Sequence, residues 1–147
     1  MKRVIAIGSD HRGYNYKEQI KNYLLSNNYE VKDFGTDSAE SVDYPDYAKK
    51  AADSIVSGES EIGVLICGTG IGVSIAANKI KGIRAANVTS EKMAEMSREH
   101  NNANIICFGG DIMDIDTVIK CLGIFLKTEF GGGRHIQRVA KIKMLET

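Results

Sequence analysis

Short apolar runs and longer amphipathic stretches alternate along the chain. Residues 4–8 are continuous, β-branched and closed by a glycine, the pattern of a buried strand. Residues 16–26 place Ile20, Tyr23 and Leu24 at the i, i+3, i+4 spacing of one helical face, with Lys17, Glu18 and Lys21 outside it. Residues 31–34 predict a second strand. Asp43 and Pro45 then mark a helix entry, since the first helical turn has no partner for the N–H that proline lacks. Tyr47, Ala48, Ala51, Ala52 and Ile55 make the buried face of that helix. Residues 62–67 are nearly all apolar, as expected of a parallel strand covered on both faces. A glycine-rich loop follows, then a helical pattern over residues 73–79 and a fourth strand over 83–88. Ser90 is the expected N-cap of a helix reaching His100, residues 105–108 predict a fifth strand, and Asp114 caps a helix over 115–127. Gly131, Gly132 and Gly133 break the chain before a last helix over 136–145.

Five strands alternating with helices predict an α/β fold, a three-layer α/β/α sandwich around a five-stranded parallel Rossmann-like sheet. With 147 residues and no linker or repeat, one domain over residues 1–147 is expected. Ligands of open parallel sheets bind outside the carboxyl ends of the strands. Asp10-His11, the loop from Cys67 to Gly72 and the residues after Phe108 are therefore expected on one rim.

Charge changes the picture by subtraction. Lys and Arg together number 19, as do Asp and Glu, so the whole chain gives no electrostatic reason to seek nucleic acid or an acidic membrane, and any anion site must be built locally. No apolar run approaches the roughly 20 residues of a membrane span, and the apolar start is too short for a signal segment. Cys67, Cys107 and Cys121 are an odd set without CxxC spacing, which points to a reducing compartment, the cytoplasm, and to no metal site.

The densest chemistry is Cys67-Gly68-Thr69-Gly70-Ile71-Gly72. Alternate glycines let backbone amides approach a ligand, and the helix behind adds positive potential, so the loop reads as an anion or oxyanion site, or as a tight strand–helix turn whose glycines relieve packing. Neither common nucleotide fingerprint fits it. Cys67, facing those amides, is a candidate base or nucleophile, while Cys107 and Cys121 read as core residues. Asp10 suits sugar hydroxyls or a turn, and His11 suits a phosphate. His100 shares a stripe with Met93 and Met96, which reads as a core imidazole, yet its polar surroundings also fit a general acid. Arg134 and Arg138, at i and i+4, form either a phosphate clamp or a solvated basic edge. Lys141 and Lys143 read as solvating charges. Tyr44 is a site wall or a helix-entry packing residue.

Six motifs stand in the order of one known family: Gly8-Ser9-Asp10-His11; Asp43-Tyr44-Pro45; the Cys67–Gly72 loop with Ser74-Ile75-Ala76-Ala77-Asn78-Lys79; Gly82-Ile83-Arg84-Ala85; Arg98-Glu99-His100-Asn101; and Gly132-Gly133-Arg134-His135-Ile136-Gln137-Arg138. From about residue 3 to residue 142 the chain resembles the type B ribose-5-phosphate isomerases, whose wider family includes galactose-6-phosphate isomerase subunits. The resemblance implies a metal-free, cofactor-free aldose–ketose isomerase of ribose 5-phosphate and ribulose 5-phosphate. It implies Cys67 as the base, His100 in ring opening, Asp10 on the sugar hydroxyls and Thr69 beside the transferred proton. The amides of Gly68, Gly70, Ile71 and Gly72 would hold the enediolate charge, Tyr44 would wall the site, Asn101 would bind the sugar, and His11, Arg134 and Arg138 the phosphate. It further implies a homodimer, in some members a tetramer, with sites shared between subunits and the helix over about 134–145 at the interface. The chain departs from many relatives at Asp111, where they carry an arginine, so either Arg134 and Arg138 suffice for the phosphate or the site differs locally. The rival functions are isomerisation of a six-carbon sugar phosphate, a non-catalytic phosphosugar-binding module, and a thiol redox protein.

Overall fold

The structure, a computed structural model, describes residues 2–147. Its elements run β1 (Val4–Ser9), α1 (Tyr14–Ser26), β2 (Glu30–Asp33), α2 (Tyr44–Val56), β3 (Ile62–Cys67), α3 (Ile71–Ala77), β4 (Ala85–Asn87), α4 (Glu91–Glu99), β5 (Ile105–Gly109), α5 (Ile115–Lys127) and α6 (His135–Met144). The five strands form one sheet in the order β2-β1-β3-β5-β4, and every pair is parallel. One face packs on α2 and α3 through Ala48, Ala51, Ala52, Val73 and Ala77. The other packs on α1, α4 and α5 through Ile20, Leu24, Ala94, Val118, Leu122 and Phe125. This is the expected α/β/α sandwich.

Local differences from the expected pattern have local causes. The edge strand β4 is three residues long, shorter than the apolar run suggested. Asn78 takes the place of a neighbouring strand there: its amide donates to the Ala85 carbonyl at 3.0 Å and its Oδ1 accepts the Ala85 N–H at 2.8 Å, which blunts a free sheet edge. α3 begins at Ile71, so the glycine loop runs straight into the helix. On α4 the buried residues are Ala94 and Ser97; the Met93, Met96, His100 stripe is not the core face, because the helix turns it away from the sheet.

Lys17 overturns its assignment to the solvent face. It is 1% exposed, and its Nζ lies 2.7 Å from both Glu18 Oε2 and Asp33 Oδ2. The aliphatic stem fills core space while the ammonium is neutralised in place. Burial alone would raise the Asp33 carboxyl, but hydrogen bonds from Lys17 and the Gly35 amide outweigh it and hold Asp33 below its ordinary value. Burial would likewise lower Lys17, and Asp33 and Glu18 outweigh that and lift it. Asp33 in turn accepts from the Gly35 N–H at 2.9 Å, and the Gly35 carbonyl accepts from Ser9 at 2.7 Å. The pair thus anchors the backbone just before Asp10.

Candidate active site

β1 and β3 are neighbours, yet the chain leaves β1 toward β2 on one side and β3 toward β4 on the other. A crevice opens outside the carboxyl ends of two such strands. Asp10 follows β1 there, Cys67 closes β3, and Gly109 closes β5 in register with Cys67. A cavity of about 580 Å³ occupies the crevice, lined by Asp10, Arg12, Tyr44, Cys67, Gly68, Thr69, Ile71, Gly72, Ile75 and Asp111. The expected common rim is therefore present.

Cys67 is 4% exposed, and its Sγ accepts the Gly70 N–H at 3.2 Å. The turn closes partly on itself, because the Ile71 amide donates to Thr69 Oγ1 at 3.1 Å. The amides of Gly70 and Ile71 are thus engaged inside the loop. Those of Thr69 and Gly72 make no hydrogen bond among the described residues. Gly70 has φ +80°, and a β carbon there would meet Asn87 Oδ1 and lie 2.9 Å from the Phe108 carbonyl carbon. At Gly72 the missing side chain makes room for the Tyr44 ring, 2.6 Å from where a β carbon would stand. The packing explanation of these glycines holds, and Gly68, Thr69, Ile71 and Gly72 still line the cavity.

Asp10 is buried and does two things. Its Oδ1 accepts the backbone N–H groups of Arg12 at 2.9 Å and Gly13 at 3.1 Å, which fixes the turn, while Oδ2 makes no hydrogen bond among the described residues. His11 stands outside the cavity lining; its Nδ1 accepts the Val42 N–H at 3.2 Å, an arrangement that leaves the ring proton on Nε2. Cys107 and Cys121 are buried core residues, and burial pushes the Cys107 thiol far up.

His100, Asn101, Arg134 and Arg138 gather elsewhere. α4 starts beyond the carboxyl end of β4 and descends to the opposite edge of the sheet, where His100 caps it. Cys67 is level with Gly109, and the start of β5 lies about 13 Å lower along the strands. His100 precedes that start. Its ring stacks on His135, with centroids 4.3 Å apart and planes at 16°. Burial, the facing His100 and the flanking arginines lower His135. The sequence motif contained His135, but nothing in its spacing marked the stacking. None of the ion pairs among the described residues involves Arg134 or Arg138. Asn101 lines a separate cleft of about 620 Å³ beside Arg84, Ile142 and Leu145. Three further residues of the Cys67 cavity, Arg12, Ile75 and Asp111, are not marked as ligand-binding by the sequence.

The profile of the Ribose/Galactose Isomerase family matches residues 5–142. The chain belongs to this family of isomerases. It is 42% identical to the ribose-5-phosphate isomerase B of Escherichia coli (strain K12) over 142 residues, which cover 97% of this chain and 95% of the relative. The solved ribose-5-phosphate isomerase B of Clostridium thermocellum superposes with a TM-score of 0.97 at 53% identity, covering 97% of each chain. That of Mycoplasma genitalium with bound ribulose-5-phosphate superposes with a TM-score of 0.95 at 42% identity, covering 99% of this chain and 97% of that one. Among the described residues no helix is long and apolar enough to cross a membrane, and no three His, Cys, Asp or Glu side chains cluster as a metal site.

Proposed function

We propose that this isomerase interconverts D-ribose 5-phosphate and D-ribulose 5-phosphate in the cytoplasm, with Cys67 as the base and no metal or cofactor. The observation that carries this reading is the thiol at the floor of the switch-point cavity, in a fold that matches a structure holding ribulose-5-phosphate. Cys67, as thiolate, takes the proton beside the carbonyl and returns it to the neighbouring carbon, so that aldose and ketose share one enediolate. The Gly70 N–H aimed at Sγ is a stronger partner for a thiolate than for a thiol. The Gly68, Thr69 and Gly72 amides are available to the enediolate oxygen, and in other enzymes each such donor is worth about 3–4 kcal/mol. Asp10 Oδ2 accepts from sugar hydroxyls, Thr69 stands beside the transferred proton, and Tyr44 walls the pocket.

His100 opens the furanose ring, Asn101 holds the sugar, and His11, Arg134 and Arg138 hold the phosphate. A general acid must come within about 3 Å of its oxygen, which the His100 of the same chain does not do. The site is therefore composite, completed by a second copy of the chain, in a homodimer or in a tetramer built of two such dimers. The bare apolar surface supports this. Ile71 and Ile75, 53% and 57% exposed, border the Cys67 cavity, and Ile136, 60% exposed, follows the stacked His135 on α6. Docking α6 of one copy beside α3 of the other covers both patches and brings the two half-sites together. Each copy contributes residues 1–147 as one domain.

The test is ribulose 5-phosphate formation by purified protein in excess EDTA, with Cys67→Ala alongside. Turnover is expected in the wild type and absent in the variant. Turnover in both removes Cys67 as base, and turnover only with six-carbon sugar phosphates replaces the substrate.

A further inference from the structure

At the solvent end of the Cys67 cavity stands a charged pair that the chemistry above does not use. Arg12 Nε donates to Asp111 Oδ2 at 2.6 Å, and Nη2 addresses the same oxygen. Each partner is fixed at its backbone by the site itself. The Arg12 N–H donates to Asp10 Oδ1 at 2.9 Å, and the Asp111 N–H to the Gly68 carbonyl at 3.0 Å. The pair lies directly over Gly68: a β carbon there would be 2.9 Å from Asp111 Oδ2 and 3.1 Å from Arg12 Nε. The two side chains are solvent-exposed, 60% for Arg12 and 42% for Asp111, and they stand on the loop that carries Cys67.

The charge balance of the cavity gives the pair a task. Among the lining residues Arg12 is the one cation, set against the two carboxylates of Asp10 and Asp111. Within this chain's own wall, the guanidinium is the group that attracts a phosphate dianion. Asp111 engages Nε and one hydrogen of Nη2, which leaves Nη1 and the remaining Nη2 hydrogen on the free edge of a planar fork suited to phosphate oxygens. Asp111 orients the plane of the guanidinium, which lowers the side-chain freedom lost on binding.

We infer that Arg12 is a specificity-determining residue that binds the phosphorylated end of the substrate from the same chain as Cys67, and that Asp111 is a positioning residue holding its guanidinium over Gly68. This rests on the reading of the cavity as a sugar-phosphate site.

The experiment compares wild type, Arg12→Ala, Arg12→Lys, Asp111→Asn and the double variant Arg12→Ala/Asp111→Asn. The readouts are kcat, KM for ribose 5-phosphate, and the competitive inhibition constant of inorganic phosphate. Loss of one charge-assisted contact raises KM and the phosphate constant about 10- to 100-fold in Arg12→Ala, with kcat held within about threefold. Arg12→Lys recovers part of the loss, and Asp111→Asn does not raise the phosphate constant above that of Arg12→Ala. The double variant stays as impaired as Arg12→Ala, because the missing contact is Arg12's own. Unchanged constants in Arg12→Ala overturn the inference. So does a double variant restored to wild-type values, which would mean that Arg12 only neutralises Asp111. A wild type without turnover overturns the isomerase reading instead. Calorimetric binding of inorganic phosphate to wild type and Arg12→Ala then decides Arg12 separately, and equal affinities overturn its role.

Discussion

A composite site predicts that two inactive variants restore one another. Cys67→Ala and His100→Asn each disable both sites of their own homodimer. If Cys67 of one copy works with His100 of the other, a mixed dimer holds one site in which both residues are native and one in which both are altered. Random reassortment of equal amounts gives half mixed dimers, each with half its sites intact, so about a quarter of wild-type activity per chain returns. The geometry sets this expectation, since Cys67 and the level of His100 are about 13 Å or more apart along the strands of one chain. Reassortment is driven by joint unfolding and refolding, or by co-expression with two affinity tags. The mixed species is counted by native mass spectrometry, and turnover of ribose 5-phosphate is measured on it. Recovery near a quarter scales with the mixed fraction. If mixed dimers form and activity stays below about 2% of wild type, the two residues act within one chain and the division into half-sites is wrong.

Four other expectations follow from the packing. Asp33→Asn leaves Lys17 charged, 1% exposed and paired only with Glu18, so it costs about 3 kcal/mol in urea unfolding. Lys17→Met costs less, about 1–2 kcal/mol, because Asp33 keeps the Gly35 amide and Lys21 at 3.2 Å; the reverse order counts against the pair. The same pair sets an acid limb. Asp33 is held below its ordinary value, so its stabilisation is full above the usual carboxylate range and disappears as pH falls through the lowered value. Asp33→Asn should flatten that limb, and an unchanged slope would assign it to other carboxylates. Gly70→Ala forces a side chain into φ +80° against the Phe108 backbone at 2.9 Å; a loss of about 2–4 kcal/mol is expected, together with a lower kcat as the Cys67 Sγ contact shifts. Ile75→Asp and Ile136→Asp, at exposed positions, should leave the monomer folded while shifting sedimentation to a single chain and abolishing turnover. A dimer that survives both places the interface elsewhere.

The fold was readable because each element carries its period within a single stretch of sequence, from the continuous apolar run of β3 to the small-residue face of α2. The rim of the site was readable for the same reason, since Asp10 and the Cys67 loop directly follow strands. Lys17 was misplaced because helical spacing sorts residues by type, and its partner Asp33 lies 16 positions away on another element. Arg12 and Asp111 are 99 positions apart, so no local window shows that two loops meet over Gly68. The separation of His100 from Cys67 is a different case, because topology alone carries it. In a parallel sheet every helix starts at the rim where strands end and finishes at the opposite edge. Asp10 and Cys67 follow strands, whereas His100 follows a helix and precedes a strand, so one chain must hold them at opposite edges. The proposed chemistry, which places both on one sugar, therefore calls for two chains. The exposed isoleucines at both edges are what two chains would cover.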